Sequence, residues 1–471
     1  MIAETSTTRP HSWLDLYRDG KAFITIALQV AVVIHASSTF LVATILPSAV
    51  AEMGGLAYMN WTSTGYLAGS ILGSATGGWM KSRVGGRAAF SLAAAAFAAG
   101  CLVAAASPSM DVLIGGRVLQ GISGGLWIAT VYAVLREVYP REIWARSLAG
   151  LSAMWGIAAF VGPAIGGVFA EFGLWRWSFV AVAPIALVTV LLAASRLPRQ
   201  PPGRTASATP WLSLCLVILA IAAGSVASLA TDWRWSVAMM LVAGLSFWLA
   251  ARPWGRARLL PSRGFANAST VGPGLLTVFG LMIGSNLYGL YIPYFLQRLH
   301  GYSPLGAGYV DALEGLAWTG AALATAWIAG RRQDRVMAIG PLIAVAGMVL
   351  GVFIIAGGPL WLTPLPGILL GAGIGLAWAP LGQRIMASPR PGEEDVTAGS
   401  IASLQAIGGA TGAILAGLGT TAAGMTTPEA PTPVVSAAAQ SAFLFCLAGP
   451  LLAAVMAEVC RRRSRGVMQD D

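Results

Sequence analysis

Charge is scarce in this 471-residue chain. Asp, Glu, Lys and Arg together make up 10% of it, against about 25% in an ordinary globular protein. So little charge cannot cover the two or three soluble domains that such a length implies, so a water-soluble enzyme and a disordered chain are excluded. Histidine is nearly absent, with three residues. There is no histidine box and no carboxylate-rich loop, which argues against a metal cofactor. The four cysteines, Cys101, Cys215, Cys446 and Cys460, stand far apart in or beside apolar runs, without metal-ligand spacing, and read as small buried hydrophobes. The 58 Gly and 26 Pro have no fixed period, so the chain is not collagen-like.

What is abundant is apolar sequence. Hydrophobic residues make up 56%, with a mean hydropathy of +0.72. A spanning helix needs about 20 mainly apolar residues. Fourteen runs qualify: 23–50, 58–80, 86–107, 110–135, 146–171, 177–195, 211–230, 235–251, 272–297, 304–329, 336–357, 359–383, 397–423 and 437–460. The first is too long for the h-region of a signal peptide and reads as a retained helix. The run at 235–251 is near the lower length limit. The implied class is an all-α membrane protein. The expected segments are 1–22 (N-terminal segment), 23–196 (six helices), 197–271 (linker with two extra helices), 272–460 (six helices) and 461–471 (tail). No loop is long enough to hold a catalytic domain, so an enzyme is not expected.

Basic residues fix the expected orientation. With the N-terminus placed in the cytoplasm, only Arg176, Arg234 and Arg298 of the 29 Lys and Arg fall outside, and only Arg117 lies within a helix. All others are cytoplasmic, as the positive-inside rule requires, and both termini face that side. The net charge of +10 is therefore no nucleic-acid patch. Trp61, Trp175, Trp177, Trp233, Trp235 and Trp361 fall at outer ends, and Trp144 and Trp254 at inner ends, consistent with interfacial belts. The stretch WLDLYRDGKAF reads as a short interfacial helix or a tail.

Three segments, in order, carry a resemblance. GGWMKSRVGGRAAF (77–90) joins the second and third helices. RVLQGISGG (117–125) lies in the fourth and GPAIGG (162–167) in the fifth. Together they resemble the major facilitator superfamily. VATILPSAV (42–50), WTSTGYLAGS (61–70) and YFLQRLHGYSPLGAG (294–308) are similar to segments of its fourteen-helix drug:proton antiporter branch, as is the extra pair of helices between two six-helix halves. GRRQDR (330–335) echoes the 77–90 loop in the second half, as parallel repeats would. The resemblance implies the major facilitator fold: two six-helix bundles plus two extra helices, rocking about a midplane site. It also assigns gating or motif roles to Gly78, Arg83, Gly85, Arg87, Gln120, Gly121, Gly162, Pro163, Gly166, Gly167, Asp334 and Arg335. The sequence departs from the branch at Ser38, where the first helix often carries an acid. It departs again at Ser82, where the loop motif usually has Asp, and near Gln405, where Arg is common.

The few polar residues inside the runs are candidates for chemistry. Arg117 in mid-membrane costs about 2.5–3.5 kcal/mol on insertion scales, so it needs a partner or a wet cavity. It is either a proton-coupling residue, as the resemblance implies, or a brace bonded to backbone carbonyls, with Gln120 one turn along to orient it. Asp311 and Glu314 share a helix face. Two adjacent carboxyls in a low dielectric resist simultaneous ionisation, which suits them to hold a proton, a cationic substrate, or each in turn; alternatively they solvate the cavity mouth. His35 is either a titrating group or a histidine bonded to a nearby hydroxyl. The Gly69, Gly73, Gly77 stripe and the Gly408, Gly412, Ala416 stripe suit either sliding surfaces or static close packing. Trp127, Trp155, Asn286, Tyr288, Tyr291, Trp318, Trp378 and Gln405 are candidate substrate-binding walls.

The expectation is therefore a multi-pass protein of a bacterial-type inner membrane, a monomer in a lipid bilayer with both termini cytoplasmic. It would have no cofactor and would use the proton gradient to export amphipathic, cationic or lipophilic small molecules. The alternatives are a transporter for one metabolite, siderophore or lipid, and a non-transporting receptor or scaffold.

Overall fold

The structure is a computed structural model. It describes residues 13–18, 20–197, 209–230, 232–252, 254, 258–261, 269–325, 328, 331–387 and 393–467. Among them are fourteen α-helices and no strand: α1 (Ala22–Met53), α2 (Met59–Val84), α3 (Gly86–Ala105), α4 (Met110–Val138), α5 (Arg141–Glu171), α6 (Trp175–Arg196), α7 (Trp211–Ala227), α8 (Trp233–Ala250), α9 (Val271–His300), α10 (Pro304–Thr325), α11 (Arg331–Gly357), α12 (Pro364–Ala387), α13 (Glu394–Ala422) and α14 (Thr432–Val467). Each of the fourteen apolar runs has become one helix. Of the positions expected in the cytoplasm, Arg9, Arg199, Arg204, Arg256, Arg263 and Arg390 lie outside the described residues.

Eleven helices are long and apolar enough to cross a membrane by themselves; α2, α7 and α10 are the other three. The marginal run at 235–251 is among the eleven as α8, while α7 is short at 17 residues. The shortfall of α2 and α10 has a cause: α2 is rich in Gly, Ser and Thr, and α10 carries Asp311 and Glu314. Helices of that composition are held by packing against neighbours rather than by lipid.

The packing repeats itself. In the first half α2 lies on α4, α3 on α4, α1 on α5 and α3 on α6; in the second, α10 lies on α12, α11 on α12, α9 on α13 and α11 on α14. Each pair recurs eight helices later, which is a parallel repeat. The halves meet where α5 touches α10, α2 touches α13, and α1 touches α9 and α10. The pair α7–α8 lies beside this seam. α7 packs on α2 and α13, and α8 packs on α7 with most of its surface outward. Fourteen crossings bring the chain back to the face where it began, here the terminal face; the opposite face is the distal one.

Glycine sets how close the helices come. A methyl on Gly69 would lie 2.6 Å from the Val118 carbonyl oxygen, and one on Gly73 would collide with the Ile122 carbonyl, so this stripe packs α2 on α4 of the same half. Gly408 and Gly412 likewise meet the Phe279 and Ile283 carbonyls of α9. Both stripes are therefore close packing inside a half, the second of the two readings the sequence left open. Gly125 returns the contact from α4 onto the Ser70 carbonyl. Gly125→Val is expected to destabilise by at least about 1–3 kcal/mol through overpacking. Gly115→Val on the same helix, with open space around it, is the control, and thermal unfolding in detergent measures the difference.

Both faces are tied by polar contacts. Gly85, at φ 82°, lets the chain turn sharply from α2 into α3, a conformation costly for other residues. On the terminal face, residues Trp13–Leu16 form a single 3-10 turn. Leu16 is buried in the core, and Thr25 joins its carbonyl to the Tyr139 hydroxyl. Leu16 thus holds the segment against α5 and the start of α1, while Leu14 and Tyr17 stay exposed. On the distal face, Glu52 accepts from Trp175 Nε1 at 2.7 Å and pairs with Arg176 at 2.6 Å. Trp175 is therefore a buried anchor rather than a belt residue, whereas Trp177, Trp233, Trp235 and Trp361 are exposed.

Candidate functional site: two buried polar centres

The first centre is in the N-terminal half. Arg117, 2% exposed, projects from α4 toward α1 and α2. Its Nη1 donates to Ser38 Oγ at 2.8 Å and to Gln120 Oε1 at 2.7 Å, and its Nε reaches the Thr62 carbonyl at 3.4 Å. The guanidinium lies 4.1 Å from the centre of the Tyr66 ring, a cation–π contact. Among the described residues no carboxylate pairs with it. Gln120 in turn donates to Cys101 Sγ at 3.1 Å, so both ends of its amide are used. The Tyr66 hydroxyl sits 3.0 Å from His35 Nδ1, and His35 meets the Trp155 ring edge-on at 6.4 Å. Arg117, Tyr66, His35 and Trp155 thus form a chain running from a buried cation to an aromatic that is 43% exposed. Tyr66 and the Thr62 carbonyl were not foreseen from sequence; His35 has the bond to a hydroxyl that was one of its two readings, supplied by Tyr66 of α2.

The second centre is in the C-terminal half. Asp311 and Glu314 are both buried on α10. Ser285 on α9 donates to Glu314 Oε1 at 2.7 Å. Asp311 Oδ2 has no hydrogen-bond partner, and among the described residues no cation pairs with either acid. Tyr288 is buried beside them, packed against Gly367 of α12, with its hydroxyl 3.4 Å from the Thr363 carbonyl. The cavity-mouth alternative predicted wet carboxyls, and these are enclosed.

The repeat places the two centres in equivalent positions. Gly121 of α4 meets the Tyr66 carbonyl of α2, and Gly371 of α12 meets the Glu314 carbonyl of α10. One turn on, Gly125 meets Ser70 and Gly375 meets Trp318. Glu314 therefore occupies in the second half the place of Tyr66 in the first. Between the centres runs α1. Ser38 bonds Arg117, while Phe40 and Thr44 lie against Gly315 and Gly308 of α10.

The remaining candidates divide by burial. Trp127 is fully buried between Phe90 and Phe97. Tyr291 is buried and stacked on Phe295. These two, with Tyr288, are packed inside a half and do not form an open wall, because hydropathy cannot tell which side of a helix faces a cavity. Asn286, Trp318, Trp378 and Gln405 are half-buried. Trp318 and Trp378 meet at 4.9 Å between ring centres, and Asn286 accepts from Ser63 across the seam at 3.3 Å.

The motif residues hold the helices and the terminal face. Ser82 bonds only the Trp79 carbonyl of its own helix. The acid missing from its position comes from α4, where Glu137 pairs with Lys81 and lies beside Gly86 at the start of α3. Arg83 is exposed, 5.6 Å from the centre of the Trp79 ring. Gly78 is exposed and Arg87 half-buried. In the second half Asp334 is buried and pairs with Arg384, while Arg335 is exposed. Gly162 and Gly166 seat α5 on the Ser37 and Leu41 carbonyls of α1, at 2.8 and 2.9 Å from an added methyl. Gly167 faces Leu305 of α10, and Pro163 faces Gly308, so this motif lies on the seam at the distal side.

Comparison with known proteins agrees with the geometry. The family model for the Major Facilitator Superfamily matches residues 28–413. A Mycobacterium tuberculosis protein named a probable multidrug-efflux transporter is 36% identical over 417 residues, covering 83% of this chain and 86% of its own. A multidrug resistance protein B homolog from the same organism is 30% identical, covering 78% and 70%. Among solved structures, a bacterial homolog of the human lysosomal transporter Spinster, inward-facing and unoccupied, aligns with a TM-score of 0.66 at 14% identity over 96% of this chain and 98% of that one. The POT family transporter PepTSo aligns at 0.65 and 13% identity, over 94% and 98%. The chain belongs to the major facilitator superfamily, and it is a multi-pass membrane transporter for a small-molecule substrate.

Proposed function

We propose that the protein is a proton-coupled antiporter of the multidrug type, with its termini in the cytoplasm, exporting amphipathic cations or lipophilic compounds by alternating access. The observation that carries this reading is the enclosed Asp311–Glu314 pair without a cation. Two negative charges at that depth are costly without a partner. A bound proton, or a cationic substrate, lowers that cost, and the two compete for the same acids. The Arg117–Tyr66–His35 chain supports coupling, because α1 touches both centres and can pass a change at one to the other. The names of the relatives support drug-like cargo. Half-buried Trp318 and Trp378, and exposed Trp155, offer faces for such compounds.

The tightest glycine contacts between halves are distal: Gly167 with Leu305, Gly308 with Thr44, and Gly417 with Asn60. Nearer the terminal face, a methyl on Gly156 of α5 would reach Thr319 of α10 only at 3.8 Å. This pattern supports a state closed on the distal side, to be exchanged for its opposite by rocking.

The test uses purified protein in vesicles with tetraphenylphosphonium as probe. With an imposed gradient, acid inside, uptake is expected to exceed the no-gradient control by about tenfold and to discharge the gradient. Uptake independent of the gradient overturns proton coupling. No uptake of this or other lipophilic cations overturns the assignment of cargo.

A further inference from the structure

The extra helix α7 ends in a buried polar junction that joins both halves. Ser228, just past its last turn, accepts from Asn60 Nδ2 of α2 at 2.7 Å, and its carbonyl accepts from Thr421 Oγ1 of α13 at 2.8 Å. One turn earlier, Ser225 Oγ donates to Thr64 Oγ1 of α2 at 3.1 Å. Asn60, Thr64, Ser225 and Ser228 are all buried. At the same level α2 and α13 touch directly, since a methyl on Gly417 would lie 2.9 Å from Asn60 Nδ2 and 3.1 Å from Ser228 Cβ. A helix placed only to fill lipid space has no need of these bonds.

Alternating access, on which this inference rests, requires α2 and α13 to part on the distal side. α7 cannot follow both. We infer that α7 is a moving part of the distal gate, carried by α2, and that the bond from Thr421 to the Ser228 carbonyl is the catch that releases. Two side-chain bonds hold α7 to α2 and one holds it to α13. The losses also differ. A threonine inside a helix can turn its hydroxyl to a carbonyl three or four residues back, here that of Leu418, so Thr421 is satisfied after release. Asn60 and Thr64, in the first turns of α2, would instead lose partners inside a packed contact. Asn60 Oδ1 already lacks a partner. The other α7–α13 contacts are apolar: Ile414 rests on Gly224, and Val217 and Ile221 share a buried cluster with Ile407 and Ala410 that also takes in Ile71 of α2.

Disulfides test this in the full-length protein with Cys215, the exposed native cysteine, changed to Ser. Thr64→Cys with Ser225→Cys bridges α2 to α7, and Gly417→Cys with Ser228→Cys bridges α13 to α7. Tetraphenylphosphonium transport and hydrogen exchange in the distal part of α10 are read before and after reduction. The α2–α7 bridge is expected to leave both within about twofold, whereas the α13–α7 bridge lowers both about tenfold until reduced. A block by the α2–α7 bridge, or free movement with the α13–α7 bridge, overturns the inference. Should the wild type move no lipophilic cation, the cargo reading fails, and the exchange data alone still decide the gate. Thr421→Val, which introduces no cysteine, is expected to raise distal exchange; no rise would overturn the catch.

Discussion

Arg117→Leu is expected to fold with near-native stability and to lose transport by about a hundredfold, the lower end of the range for a proton-transfer group. The stability half follows from opposing terms. Removing the cation relieves about 2.5–3.5 kcal/mol of burial cost. It also strands the Gln120 Oε1 and Thr62 carbonyl acceptors, at about 1–3 kcal/mol each, and forfeits the contact with Tyr66. The sums nearly cancel, so the thermal midpoint moves by only a few degrees. Arg117→Lys keeps the charge but not the planar fork. It cannot bond Ser38 and Gln120 while lying flat over Tyr66, so it is expected to retain partial transport. The measurement pairs thermal unfolding with gradient-driven uptake in vesicles. If Arg117→Leu transports normally, Arg117 is a brace and the N-terminal centre has no part in coupling.

The fold was legible because a bilayer leaves few choices. Apolar runs of fixed length must be helices, and the placement of arginine gave an even number of crossings. Even the marginal 235–251 run became a helix. The sites were legible only where scarcity marked them, as with Arg117, Asp311 and Glu314. Tyr66 was not, because one tyrosine in a Gly, Ser and Thr-rich helix has no periodic signature. Its meaning comes from Gly121 bringing α4 onto its backbone, a contact between residues far apart in sequence. The same holds for the Lys81–Glu137 pair, which restores an acid that the loop motif lacks. Trp127 failed as a cavity residue for the converse reason: its neighbours from Gly124 to Ala129 are all apolar, and only packing decides that it faces Phe90 and Phe97. The repeat was the signal that could have found Tyr66, since superposing the halves on their glycines places it opposite Glu314.

At the acid pair, Glu314→Gln is expected to abolish uphill, gradient-driven transport while leaving downhill exchange of tetraphenylphosphonium within about tenfold of the wild type. Gln keeps an oxygen to accept from Ser285, so the α9–α10 contact survives and the protein folds; what it cannot do is release a proton. Asp311→Asn should differ in its stability. Asp311 Oδ2 is enclosed with no donor, and an unsatisfied buried polar atom costs about 1–3 kcal/mol. The amide removes the charged form altogether, so the thermal midpoint is expected to stay level or rise, with coupling reduced. Ser285→Ala separates position from charge: it removes the donor to Glu314 and leaves both acids. It is expected to change the pH at which transport is half-maximal more than the maximal rate, which a purely structural loss would not do. Substrate-dependent proton release, followed by a pH dye inside the vesicles, is the common readout. Uphill transport persisting in both Asp311→Asn and Glu314→Gln would remove the pair from coupling and leave the Arg117–Tyr66–His35 chain as the place where the proton must bind.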